Sequence, residues 1–161
     1  LRDLGMTMNP QGAHYTLMGI ETLGLRMARH VENARKVAEW LEADPRVEAV
    51  TWAGLKSSPY HDRANRIVPK GAGALFTVAI KGGYDACVKV VANLKLFSHV
   101  ANLGDTRSLV IHPASTTHRQ LDEAAQIRAG AAPNVLRLSI GIEDAADIIA
   151  DLDQALAAAS A

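Results

Sequence analysis

The sequence predicts an α+β domain, with a small, mostly antiparallel sheet covered by helices on one face and a long N-terminal interdomain helix. Three observations support this fold class. An amphipathic pattern longer than 20 residues precedes all strand-like segments. Strand and helix patterns then alternate irregularly, without the regular βαβ rhythm and glycine-rich first turn of a parallel nucleotide-binding fold. No repeat of 20–50 residues is visible, which excludes a solenoid.

Length and composition indicate one globular domain. The chain has 161 residues, of which 48% are hydrophobic and 21% are charged, enough to bury a core without disulfides or metals. Its 17 basic and 17 acidic residues give no electrostatic argument for a nucleic-acid or membrane partner. The single Cys87 suits a reducing compartment, and the start lacks the pattern of a secretory signal. We therefore expect a cytoplasmic protein. A first residue other than methionine is what a processed chain or a piece of a longer protein would show, and composition alone does not distinguish the two.

The long helix is predicted from Ile20 to Asp44, where Pro45 stops it. At 1.5 Å per residue it is about 35 Å long, as long as a small domain is wide, so it hints at a neighbouring lobe. We therefore divide the chain into an N-terminal segment with the interdomain helix, 1–45, and a C-terminal α+β domain, 46–161. The apolar positions that recur every three or four residues are Leu23, Met27, Val31, Ala34, Ala38 and Leu41.

Strands are predicted at Val47–Trp52, Ala74–Ile80 and Val135–Ile140, because these segments are apolar and partly β-branched. Residues 54–73 contain prolines, glycines and charges and are predicted to be a connection with one helical turn. Two short extended pieces are expected within 97–112, on either side of a turn at Gly104-Asp105.

Three further helices follow from apolar spacing and capping residues. Tyr84–Leu94 carries Cys87 on its apolar side, so this thiol is expected to be inert core rather than a nucleophile. His118–Ala129 is closed by Gly130. Asp144 can cap the last helix. The side chains of that helix expected to face inward are Ile148, Ile149, Leu152 and Leu156.

Arg137 is the residue most suited to chemistry. In the strand VLRLSI, the large aliphatic residues Leu136, Leu138 and Ile140 share one face, and Arg137 lies on the other. A guanidinium there presents a planar fork of donors that matches a carboxylate or phosphate. The alternative is a solvated strand face or a structural ion pair. The spacing leaves both interpretations open.

A second candidate is the segment from Asn102 to His118, which brings hydroxyls, an amide and two histidines into 17 residues. It can line a polar pocket. Alternatively, its run of Ser115, Thr116 and Thr117 caps the helix that follows. A metal site at the two histidines is disfavoured, because six extended residues would separate them by about 20 Å and no CxxC or HExxH pattern accompanies them.

Other signatures of catalysis are missing. The sequence has no GxSxG elbow and no phosphate-binding GxxxxGK[ST] loop. Its six lysines fall in surface-like positions, and His30 is expected on the surface of the long helix. Residue patterns alone therefore reach an α+β domain with one arginine suited to bind an anion.

Three stretches, in order, resemble the Cys/Met-metabolism enzymes of fold type I that depend on pyridoxal phosphate (PLP). They are GIETLGLRMARHVENARKVAEWL, SLVIHPASTTH, and VLRLSIGIED with the closing helix. The family includes cystathionine γ-synthase, the cystathionine lyases, methionine γ-lyase and O-acetylhomoserine sulfhydrylase. In this family these stretches form the C-terminal half, which a long helix connects to the cofactor domain. The resemblance therefore implies a C-terminal domain.

The resemblance also assigns residues. Arg137 falls on the arginine that holds the substrate α-carboxylate, and Thr117 falls on a threonine near that pocket. Asn102 falls on a pocket position that is often serine in the lyases. Asn102, the full HPASTTH and the helix AAQIRAGAAPN are more similar to the sulfhydrylases. These three residues are the predicted substrate-binding residues.

The implied reaction replaces the acetate of O-acetylhomoserine by a sulfur nucleophile in methionine and cysteine biosynthesis. The Schiff-base lysine would lie in the missing domain, so no catalytic residue, bound cofactor or metal is expected in this chain, which would be inactive alone. The implied partners are an amino-acid substrate, the protein's own N-terminal PLP domain and the copies of a homotetramer. The alternatives are a cystathionine γ-synthase or methionine γ-lyase domain, or a stand-alone amino-acid-binding α+β domain.

Overall fold

A computed structural model describes residues 4–160. Within this range no helix combines the length and apolar character needed to cross a bilayer. The helices and strands are α1 Pro10–Glu21, α2 Leu23–Ala43, β1 Val47–Thr51, α3 His61–Ile67, β2 Leu75–Ile80, α4 Gly83–Asn93, β3 Ser98–His99, β4 Leu109–Ile111, a 3-10 helix Pro113–Ser115, α5 Glu123–Arg128, β5 Val135–Ser139 and α6 Ala145–Ser160.

The five strands form one sheet in the order β1-β2-β5-β4-β3. All neighbours are antiparallel except β3 and β4, which are parallel. The pairing of β1 with β2 is irregular between Val47 and Ala49. This architecture confirms the predicted α+β class with a mostly antiparallel sheet, and it makes β5 the central strand.

The core lies between one face of the sheet and the helices. Leu136, Leu138 and Ile140 of the β5 segment are buried in it, as the alternation predicted. The second half of α2 packs there too, because its apolar positions fall on one side of the helix. The inward side of α6 is confirmed by the burial of Ile148 and Leu152. Arg137, between Leu136 and Leu138, therefore lies on the face of the sheet that turns away from the helices.

Helix α1 was not predicted. It begins as many helices do, because the Asn9 side chain accepts a hydrogen bond from Gly12 N at 2.7 Å and Pro10 occupies the first turn. Along its length, however, α1 buries no residue. A helix without buried residues in the described range needs no regular apolar stripe, so the periodicity was missing.

The helix predicted over His118–Ala129 is shorter, with only Glu123–Arg128 in helical geometry. Asp122 caps it by accepting from Ala125 N at 2.7 Å, and the residues before Asp122 form turns. The predicted end is right. Gly130 has a φ of 72°, and Ala131 N donates back to the Gln126 carbonyl at 2.9 Å.

Cys87 is fully buried on α4, as the sequence predicted, and burial raises the pKa of its thiol from 9.0 to about 12. The unfolded chain releases this proton above pH 9, whereas the folded chain keeps it. The corresponding stability is therefore complete below pH 9 and is lost as the pH rises towards 12, by about 1.4 kcal/mol per pH unit.

We expect the thiol's contribution to the chain's free energy of unfolding, measured with urea from pH 8 to 11, to be constant up to about pH 9 and then to fall with this slope. Cys87→Ala should flatten that part of the profile. In the folded protein at pH 8 the thiol should not react with a disulfide reagent, and urea should expose it. Rapid labelling without denaturant would contradict the buried position.

Candidate functional site

Arg137 lies in the middle of the central strand, opposite Thr77 on β2 and Ile111 on β4. Its side chain is half-buried. Residues at this position are held by two neighbouring strands, so the Cα of Arg137 has a fixed location. The side chain is thus carried by the central strand of the sheet, which is paired on both sides.

The guanidinium of Arg137 reaches the loop between β3 and β4. Its Nη2 donates a hydrogen bond to the main-chain carbonyl of Asn102 at 3.2 Å. The Asn102 side chain turns back on its own loop, where Oδ1 accepts from Leu103 N at 2.9 Å. The structure therefore brings Arg137 and Asn102 together, through the backbone rather than the amide.

The charge of Arg137 is not neutralised within residues 4–160, because no carboxylate of that range lies within ion-pair distance of its guanidinium. Arg46 shows the contrast: it pairs with both Asp44 and Asp153 at 2.5 Å. The structural ion pair that the sequence left open thus has no partner in the described range. The remaining donors of Arg137 fit a carboxylate.

Thr117 lies exposed after the 3-10 helix, where its hydroxyl and Nδ1 of His118 are 2.8 Å apart. In the described part of the chain, no hydrogen bond joins it to Arg137 or Asn102. The capping alternative for this run was wrong: Asp122 caps α5, and Ser115 and Thr116 donate to the His112 carbonyl at 3.2 and 2.7 Å. The pocket role of Thr117 stays a prediction.

The loop between β3 and β4 is fastened to the end of β5, which sequence reasoning missed. Gly104 N donates to Ser139 Oγ at 3.3 Å, and Ile142 N donates to the Thr106 carbonyl at 2.9 Å. Glu143 accepts from both the main-chain N and the hydroxyl of Ser108, at 2.6 and 2.9 Å. These bonds hold the loop beside Arg137.

Helix α2 holds the same end of β5 from the core side. His30 Nδ1 lies 2.6 Å from the Ile140 carbonyl, and Asn33 Nδ2 donates to the carbonyls of Gly141 and Glu143 at 3.0 and 2.8 Å. The prediction that His30 is on the surface was wrong, since its exposed fraction is 2%. The signal was available: positions 30 and 33 share the helix face of the core residues at 34 and 37.

A cavity of about 250 Å³ opens next to this network. It lies between α2, the start of β2, the β3–β4 loop and the end of β5. His30 lines it, and Nε2 of that imidazole has no hydrogen-bond partner among the described residues. The other lining residues are mainly apolar: Met27, Gly73, Ala74, Leu75, Leu103, Gly104, Ser139 and Ile140. Such a cavity suits an aliphatic group next to a polar one.

The side chains that could hold a metal or form a Schiff base lie apart in residues 4–160. No three His, Cys, Asp or Glu side chains come together there. All six lysines of the chain are exposed, whereas a Schiff-base lysine needs a desolvated or cation-flanked position. His112 is buried, which lowers its pKa, and its Nε2 lies 2.7 Å from the Pro133 carbonyl. This contact gives His112 a role in packing.

The sequence of this chain matches a known protein family. The family model of the Cys/Met metabolism PLP-dependent enzymes covers residues 1–157. This chain therefore belongs to that PLP-dependent family, as the three sequence motifs indicated.

Its relatives include O-acetylhomoserine sulfhydrylases. The chain is 48% identical over 157 residues to O-acetyl-L-homoserine sulfhydrylase 1 of Thermus thermophilus, covering 98% of this chain and 37% of the relative. It is 49% identical over 158 residues to the Corynebacterium glutamicum O-acetyl-L-homoserine sulfhydrylase, covering 98% and 36%. L-methionine gamma-lyase of Fusobacterium nucleatum is 41% identical, with 97% and 40% covered.

A solved structure has the same fold. The putative O-acetylhomoserine (thiol)-lyase of Campylobacter jejuni superposes with a TM-score of 0.88 at 41% identity, and it carries a pyridoxyl-lysine. The superposition covers 97% of this chain and 37% of that one. The chain thus spans little more than a third of the length of these relatives.

A substitution at Gly141 tests how closely the β3–β4 loop approaches the end of β5. A Cβ at this position would lie 2.5 Å from the Thr106 carbonyl oxygen and 2.6 Å from the Arg107 carbonyl carbon, both backbone atoms that cannot turn aside. We expect Gly141→Ala to lower the free energy of unfolding by about 1–3 kcal/mol, as overpacking does.

Gly24→Ala is the matched control, because a Cβ there meets nothing within 4 Å and Gly24 is helical. It should be neutral or stabilising by up to about 1 kcal/mol. Urea unfolding of both variants checks the difference. Equal stabilities would mean that the loop lies further from β5.

Proposed function

We propose that this chain is the C-terminal, substrate-carboxylate-binding domain of a PLP-dependent O-acetylhomoserine sulfhydrylase. The observation that carries the proposal is Arg137, a half-buried cation on the central strand without a carboxylate partner in residues 4–160. The names of the relatives support the choice of substrate. In this proposal the intact enzyme replaces the acetate of O-acetylhomoserine by a sulfur nucleophile.

Arg137 would bind the α-carboxylate of the amino acid with the donors that Asn102 leaves free. A two-point contact fixes the direction of the Cα bonds as well as the charge, which is how a carboxylate anchor orients a substrate. Asn102 and Thr117 would line the same pocket. PLP, when bound, supplies the electron sink for the carbanion chemistry.

The cofactor would be held by the part of the protein outside this chain. The six exposed lysines support this division, since none has the surroundings of a Schiff-base lysine. We propose that the chain alone binds no PLP and has no activity. We also propose that it works in the cytoplasm as part of a homotetramer.

The surface of α1 and the first half of α2 supports a missing partner domain. Large apolar side chains are exposed there in a continuous stretch of sequence, more than an isolated domain usually leaves in water. We propose that the N-terminal PLP domain covers them, with 1–45 as the connecting segment and 46–161 as the C-terminal domain. The exposed side chains are Tyr15, Leu17, Met18, Ile20, Leu23, Leu25 and Met27.

Leu25, with an exposed fraction of 78%, tests this covering. We expect Leu25→Lys to lower the melting temperature of the intact enzyme, because a charge would enter an apolar contact. The same substitution should leave the melting temperature of the isolated chain nearly unchanged. Ile127→Lys, at an exposed apolar residue of α5, is the control in both proteins. A Leu25 variant that is neutral in the intact enzyme would remove this surface from the interface.

The function itself is tested with Arg137→Ala in the intact enzyme. Removing the bidentate partner of a carboxylate should cost about 2–5 kcal/mol of binding, a fall in kcat/KM for O-acetylhomoserine of at least about 30-fold. Arg137→Lys keeps the charge but not the fork and should recover part of the loss. Unchanged kinetics in Arg137→Ala would exclude Arg137 from the site.

Methionine γ-lyase is the second candidate, because one relative at 41% identity carries that name. Assays of the intact enzyme with O-acetylhomoserine plus sulfide, and separately with methionine, distinguish the two reactions. A cystathionine γ-synthase would use cysteine in place of sulfide. A stand-alone amino-acid-binding domain would bind an amino acid without the rest of the protein.

A further inference from the structure

We infer that Glu143 is a positioning residue for Arg137: it ties the β3–β4 loop to the end of β5 and so holds the Asn102 carbonyl against the guanidinium. The inference rests on the proposed function, in which the ligand of Arg137 is the substrate carboxylate. Glu143 lies six residues beyond Arg137 and does not contact it, so its effect would pass through the loop.

The tie uses both oxygens of one carboxylate. Glu143 Oε1 accepts from Ser108 N at 2.6 Å, and Oε2 accepts from Ser108 Oγ at 2.9 Å. The Ser108 hydroxyl in turn accepts from Gly141 N at 2.9 Å, and Ser108 is fully buried. Hydrogen bonds to a carboxylate are about twice as strong as neutral ones. This bidentate contact is therefore the strongest that fastens the loop.

The tie has a fixed base. Asn33, buried in α2, donates to the main-chain carbonyls of Gly141 and Glu143, and His30 contacts the carbonyl of Ile140. The end of β5 is thus anchored to the core helix, and from this anchored end the Glu143 side chain reaches the loop. A continuous series of hydrogen bonds runs from α2 through Glu143 to Ser108.

The loop needs such a tie. Residues 100–107 contain no helix or strand, and most of their side chains are exposed. Within residues 4–160 the one hydrogen bond of the Arg137 guanidinium goes to Asn102 in this loop. If the loop moved away, the guanidinium would lose the contact that sets its direction on the sheet surface. The affinity for a carboxylate would fall, whereas chemistry at a remote carbon would change little.

Glu143 is not placed as an acid or base for the reaction. Both of its oxygens are occupied by Ser108, and it is partly buried against the loop. Its role therefore predicts an effect on binding that depends on the substrate carboxylate, which a loss of activity alone would not reveal.

The experiment uses the intact PLP-loaded enzyme with Glu143→Gln, Ser108→Ala and Arg137→Ala. The control is Asp147→Asn, which removes an exposed carboxylate from the first turn of α6. KM and kcat are measured with O-acetylhomoserine. Inhibition constants are measured for an unreactive amino acid and for the amine that has the same side chain without the carboxylate. Melting temperatures report on folding.

Glu143→Gln should raise KM and the inhibition constant of the amino acid about tenfold, as the loss of a hydrogen bond to a charged group does. It should leave kcat and the inhibition constant of the amine nearly unchanged. Ser108→Ala should shift the same constants in the same direction by less, because its main-chain N remains. Asp147→Asn should match the wild type.

Equal weakening of the amino acid and the amine by Glu143→Gln would overturn the inference, since it would indicate general loosening. So would wild-type constants in that variant. If Glu143→Gln does not fold, the same comparison is made with Ser108→Ala: the change in the inhibition constant of the amino acid is set against the change for the amine. If Arg137→Ala keeps the preference for the amino acid over the amine, the proposed function fails. If Arg137→Ala loses this preference and Glu143→Gln keeps it, the positioning role alone fails.

Discussion

The hydrogen bonds from α2 to the end of β5 are the constraint on which the rest of the structure depends. His30 and Asn33 place polar groups in the core and satisfy three main-chain carbonyls where the central strand ends. Buried polar groups are costly unless they are paired, so this contact fixes how the helix sits on the sheet. The loop beside Arg137 is hydrogen-bonded to this end of β5, so its position depends on that contact.

Arg137 and Arg46 differ in the acceptors that they find within the described range. Arg46 forms ion pairs with Asp44 and Asp153. Arg137 has one neutral acceptor, the Asn102 carbonyl, and no acid in the described range. The positive charge of such a half-buried guanidinium is not compensated by an acid of the described range, so it can attract an anion brought by a ligand or another domain.

The sequence predicted the sheet and the core because burial repeats with the period of each element, as in the alternation around Arg137 and the spacing along α6. It did not predict α1, which buries no residue within residues 4–160. It also missed the buried role of Asn33. The apolar pattern assigns an amide to the polar side of a helix, because the sequence does not show the carbonyls to which it donates. The Glu143–Ser108 contact spans 35 residues, and no local pattern records such a separation.

The irregular pairing at the start of β1 has a consequence for self-association. At one edge of the sheet the bulge interrupts the ladder beside Glu48, whose side chain accepts from Asn134. At the opposite edge β3 contributes only two residues. Both borders are poor templates for an added strand. The fold therefore disfavours a continuous intermolecular sheet and leaves side-chain faces as the surfaces available for contacts between copies.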